Sequence, residues 1–91
     1  MTMHQPEPVE PDEIDPALIA DTLHISINTA PMFVVAWLQR HGQRAWYAGK
    51  QMHGVDARPV VMFDAGADSP VRQAAVDDTL TANPDGTVTV S

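Results

Sequence analysis

The chain has no cysteine, so no disulfide and no thiolate metal site can brace it, and a cytoplasmic location is the default expectation. Cations are few: five Lys and Arg stand against twelve Asp and Glu, a formal charge of −7, which weighs against a simple nucleic-acid binder. No run of about eighteen apolar residues occurs, and the opening MTMHQPEPVEPDEIDP has neither a basic start nor an apolar segment, so neither a membrane span nor a signal peptide is expected. The glycine patterns of a nucleophile elbow, a phosphate loop or a dinucleotide site are missing too. His24, His41 and His53 show no i,i+4 spacing, so no metal site is expected. Asp77 and Asp78 are adjacent, which on a helix points them in different directions and does not suit a paired acid and base. The expectation is a non-enzyme with no cofactor.

What is present is distributed unevenly. Residues 1–21 hold six carboxylates and no Lys or Arg, residues 22–55 hold Arg40, Arg44 and Lys50 and no carboxylate, and residues 56–91 hold six Asp against Arg58 and Arg72. A mildly basic block thus lies between two acidic flanks. Residues 1–12, with Pro6, Pro8 and Pro11 among acids, cannot repay the entropy of ordering and read as a disordered acidic tail, leaving 13–91 as one small domain. A chain of this length buries about 60–65% of its unfolded surface, which implies modest stability unless a partner adds contacts.

Asp15-Pro16 is a cap followed by a first-turn proline, and Leu18, Ile19, Thr22 and Leu23 share a helical face, which predicts a helix over 16–24. Asn28, Thr29 and Pro31 at one end and Arg40, His41 and Gly42 at the other predict a helix over 28–41. The β-prone run FVVAW supports an alternative in which Phe33–Gln39 and Arg44–Gly49 form a hairpin with Trp37 opposite Trp46. RAWYAG and RPVVMFD read as two strands joined near Gly54, Ser69-Pro70 opens a further helix carrying Val71, Ala74, Ala75 and Leu80, NPDG is a turn, and TVTVS is a terminal strand. The fold class is therefore α+β, with a two-stranded ribbon, a C-terminal helix and a terminal strand.

Over residues 16–64 the pattern ALIADTLHIS..TA......WL...G resembles the winged helix-turn-helix superfamily, with Ala20 at the small inward position, Leu23 and Ile25 flanking the turn, and Trp37-Leu38 inward on the second helix. The chain departs from it at His24, where glycine is usual, at Pro31, and at the outward positions Ile27, Asn28, Met32 and Val35, which carry no cation. The resemblance implies a small winged-helix-like regulator that binds duplex DNA as a dimer. Asn28 and Thr29 would reach base edges, and Arg40, Arg44, Lys50 and Arg58 would meet phosphates. The alternative is an acidic protein-binding module or inhibitor of the kind found on phages and mobile elements, whose Glu13, Asp15, Asp21, Asp68, Asp77 and Asp78 would face a basic surface of a partner. The aromatics and the adjacent pairs Val34-Val35 and Val60-Val61 cannot all be hidden in so small a core, so either function predicts that a second chain covers some of them.

Overall fold

One apolar cluster joins a ten-residue helix to two small sheets. The computed structural model describes residues 15–91, and the elements run α1 (Pro16–Ile19), β1 (Thr22–His24), α2 (Pro31–Arg40), β2 (Arg44–His53), β3 (Asp56–Asp64), β4 (Arg72–Ala75), β5 (Thr79–Ala82) and β6 (Val88–Val90). The result is a small α+β domain with two antiparallel three-stranded sheets, ordered β1-β5-β6 and β2-β3-β4. None of the described helices is long and apolar enough to cross a membrane.

The helix α2 begins at Pro31, whose missing N–H is lost at no cost in the first turn, and it ends where the His41 N–H closes on Trp37 and Gly42 takes φ +86. Ala30, not Asn28 or Thr29, is the capping residue and offers no side-chain bond, so the helix starts three residues later than its sequence signals suggest. Val34, Val35, Trp37 and Leu38 are all buried, a face wide enough to meet both sheets. One sheet supplies Leu23, Leu80 and Val88, and the other supplies Val61, Phe63 and Ala74 to the same cluster. Trp37 is fully buried with its ring against His41, centroids 4.2 Å apart, and its indole N–H donates to the Ala20 carbonyl at 3.0 Å. The hairpin alternative for this segment, with Trp37 paired to Trp46, is not what forms.

The helix expected over 16–24 stops at Ile19. Asp15 caps it through Ala17 N–H at 2.9 Å, but Ala20 is already extended, and Thr22–His24 pairs with Thr79–Thr81 as a strand. Leu23, Leu80 and Val90 then form one apolar row across the sheet, worth more than three further residues of helix could supply on their own.

The C-terminal helix expected from Ser69 is also absent. Arg72–Ala75 pairs with Val60–Phe63, and Thr79–Ala82 pairs on both sides with β1 and β6. Between them, Asp78 N–H donates to the Ala75 carbonyl in a tight turn that places Asp77 at φ 82, and the Asp78 carboxylate accepts the Ala75 N–H at 2.9 Å. The cap-like Ser69-Pro70 start was a true local signal, but the open edge of β3 offered these residues a ladder. The NPDG turn forms as read: Asp85 accepts from the Thr87 N–H and hydroxyl at 3.0 and 2.6 Å, and Gly86 adopts φ +90.

The two sheets are tied by polar bonds as well as by α2. Ile25 N–H donates to Asp78 O, Asp77 N–H to Ile25 O, the Gln43 side chain to Gly86 O, and the Arg72 guanidinium to Val88 O while lying 4.9 Å from the Phe63 ring centre. Because a single indole touches the helix core and pins α1, Trp37→Ala is expected to cost about 3–5 kcal/mol. Urea titration followed by far-ultraviolet circular dichroism checks this, and a loss under about 1 kcal/mol would show that Trp37 does not anchor the core.

Candidate functional site

In β2–β3–β4, cross-strand partners share a face, so the register sorts the side chains into two sets. The inner set includes Ala45, Tyr47, Val61, Phe63 and Ala74, and this is the face toward α2. The outer set runs in rows: Arg44 with Asp64, Trp46 with Met62 and Gln73, Val60 with Ala75, and Gln51 with Arg58. A register shift between Tyr47 and Lys50 passes through Gly49 at φ +88, which is why Trp46 and Gln51 lie on one face despite their odd spacing. At the end of the ribbon Gly54 takes φ +67 at the first central position of a two-residue turn, the position that glycine fills in such hairpins.

The core cluster takes residues of this sheet from its inner face, and no outer-face residue belongs to it. Trp46 is 42% exposed, Met62 is half-buried, and Val60 is buried apart from the main core. Among the described residues, then, an exposed aromatic and a half-buried methionine lie side by side on the outer face, next to a valine that is buried outside the main core. Beside Val60 this face deepens into a groove of about 360 Å3, which Met52, Ala75 and Val76 line together with Arg58, Asp77 and Asp78.

The far end of this face is closed by an ion pair. Arg44 donates through Nε and Nη to both oxygens of Asp64 at 2.7 and 2.8 Å, and the Gly66 N–H adds a third bond at 2.9 Å. The Asp64 side chain is fully buried while Arg44 remains largely exposed. Arg44's hydrogen bonds hold the Asp64 carboxyl below its usual range against the opposing effect of burial, and Asp64 in turn raises Arg44.

The residues singled out for DNA contact do not converge. Asn28 lies in the exposed turn before α2, its N–H on the Ser26 hydroxyl, and the Thr29 hydroxyl accepts the Ser26 N–H, so both serve that turn. Arg44 is engaged by Asp64, and Arg58 lies between Asp56 and Asp77 at 3.9 and 3.7 Å. Arg40 and Lys50 are exposed and make no ion pair among the described residues. Of the carboxylates proposed for a protein partner, Glu13 lies outside the described residues, Asp15 caps α1, and Asp21 and Asp68 are exposed. Asp77 and Asp78 are brought together with Arg58 at the groove. Among the described residues no group of His, Asp and Glu is arranged to hold a metal ion.

Sequence reasoning expected some of the aromatics and valines to lie outside the core but did not single out Trp46 and Met62 as the pair that share an outer face. A signal was available: Trp46-Tyr47 and Val60-Val61 are neighbours within strands, and neighbours in a strand must face opposite ways. Comparison of the chain with protein-family models, with curated proteins and with solved structures finds no match.

The Asp64 arrangement has a definite pH signature. Its carboxyl binds a proton less readily when folded than the ordinary value of about 3.9, so the stability it supplies is complete above that pH and is lost as pH falls through the lower folded-state value. Asp64→Asn is expected to lower the urea midpoint at pH 7 and to converge with the parent as pH approaches 2. A difference between the two that stayed constant from pH 7 to pH 2 would count against this role.

Proposed function

We propose that this chain is a protein-binding module that docks through the outer face of β2–β3–β4 onto a basic region of a partner. The observation that carries the reading is the exposed Trp46 beside the half-buried Met62, next to a groove lined by carboxylates. An exposed tryptophan beside a methionine is costly in water and typical of the central anchors of interfaces. The electrostatics agree. Two of the four cations that DNA binding would use, Arg44 and Arg58, face carboxylates within the chain, and the total charge remains −7. Long-range attraction therefore favours a positively charged partner.

A second reading has its own support. The helix α2 leads directly into the long β2–β3 ribbon, with Trp37 turned back toward α1, and Arg40 and Lys50 are exposed. This is compatible with a winged-helix regulator that sets α2 and the ribbon against a duplex. Two exposed cations would give weak binding with a shallow salt dependence.

One experiment separates the two. Amide spectra of the full chain, recorded at low salt, are titrated with a mixture of short basic peptides and, separately, with mixed-sequence duplex DNA. Peptide-induced shifts at Trp46, Met62 and Gln73, with an unchanged spectrum in DNA, are the expected outcome. Shifts in DNA at Asn28, Thr29, Arg40 and Lys50, with none in peptide, would transfer the function to the regulator.

A further inference from the structure

We infer that the groove beside Val60 receives a Lys or Arg side chain from an extended segment of the partner, and that the next outward row, Trp46 and Met62, receives an apolar side chain two positions away in that segment. The inference rests on the docking role proposed above and specifies what the face selects.

Three occupants could cover an uncovered sheet face: a second copy of the chain, the chain's own N-terminal segment, or another protein. Charge discriminates among them. The groove presents Asp77 and Asp78, with Asp56 beside them, against the single cation Arg58. Residues 1–14 contain Glu7, Glu10, Asp12 and Glu13 and no Lys or Arg, so that segment would bring like charge to the rim. A second copy meeting through the same face would set the two acidic rims together, and each chain carries −7. A basic segment of another protein is the occupant that the rim attracts.

The groove suits such a side chain in shape as well as in charge. Met52, Ala75 and Val76 offer apolar contacts for the aliphatic stem of Lys or Arg, and Gln51, Gln73 and the carboxylates of Asp77 and Asp78 line the same groove and offer polar partners for its charged head. Arg58 already shows how a cation sits there. Its guanidinium lies 3.7 Å from Asp77 and 3.9 Å from Asp56, and it makes no hydrogen bond to either. Both contacts are too long for a committed pair, so an incoming cation could reach Asp77 without first breaking a strong bond.

The register then sets the spacing. The Val60–Ala75 row and the Met62–Gln73 row are two residues apart along β3, about 6.6 Å, the same as the distance between alternate side chains of an extended peptide. A segment lying along β3 with a cation over Val60 would place the side chain two positions on over Met62 and Trp46. A basic residue and an aromatic or large aliphatic residue two positions apart, in either order, match the face.

The test uses the full chain and three sets of short peptides: one with Arg and Phe two positions apart, one with Glu in place of Arg, and one with Ser in place of Phe. The first is expected to bind tightest, shifting the amides of Val60, Ala75 and Asp77 and the Trp46 indole signal. Asp77→Asn keeps a residue that accepts positive φ and should weaken this binding about fivefold, with the difference shrinking in high salt. Arg58→Gln removes the resident cation and should tighten binding, an effect that a purely structural Arg58 would not produce. Peptides that shift Trp46 and Met62 equally well with Glu or Arg, and that ignore both substitutions, would overturn the groove assignment while leaving the docking face standing. No shift on the outer face with any peptide would remove the docking face itself. Outer-face shifts that follow protein concentration alone would assign the face to a second copy and overturn the inference.

Discussion

Everything in this fold depends on one helix having two buried sides. Val34 and Leu38 lie one turn apart, and Val35 and Trp37 flank them, so the apolar surface of α2 wraps too far round the helix for one sheet to cover. Each three-stranded sheet is in turn too small to bury its own apolar face. Leu23, Leu80 and Val88 of one sheet and Val61, Phe63 and Ala74 of the other join Val34, Val35, Trp37 and Leu38 of α2 in one cluster, so neither sheet buries its apolar face alone. Trp37 extends that dependence to α1 through the Ala20 carbonyl.

That arrangement also explains why a face is left over. With α2 occupying the inner side of β2–β3–β4, there is no further helix among the described residues to cover the outer side. The chain manages the exposed sheet unevenly. At one end Arg44 and Asp64 form a bonded pair, at the other Arg58 is held loosely among carboxylates, and the apolar band lies between them. A firmly closed end and a loosely held end are what a surface needs if it is to stay folded alone and still exchange contacts with a partner.

The parts of this design that were legible in the sequence are those fixed by adjacent residues. Pro31 and Gly42 bracket α2 because each suits one end of a helix and little else, and Asn83-Pro84-Asp85-Gly86 makes its turn from its own side chains. The stretch 69–80 reads as a helix because its opening imitates a helix start, while its partners, β3 on one side and β1 and β6 on the other, are distant in the chain. The alternation in Thr79-Leu80-Thr81 and Thr87-Val88-Thr89 was the better guide, since both segments become strands of one sheet. The candidate site suffered similarly. Acids at 77 and 78 are legible as a candidate protein contact, and so is the surplus of apolar residues over what the core can hold, but nothing local says which of two neighbouring apolar residues in a strand points inward.

The sequence by itself determined the charge balance, the C-terminal end of α2, the tight turns, and the fact that the apolar residues exceed what one small core can hide. Only the tertiary structure decided that Arg72–Ala75 and Thr79–Ala82 are strands, that Gly49 shifts the register so that Trp46 and Gln51 share a face, and that Arg58 meets Asp77. The physical reason is the range of the interactions. Caps, turns and net charge are settled by neighbours along the chain, whereas a strand needs an edge to pair with and a face needs something to turn away from.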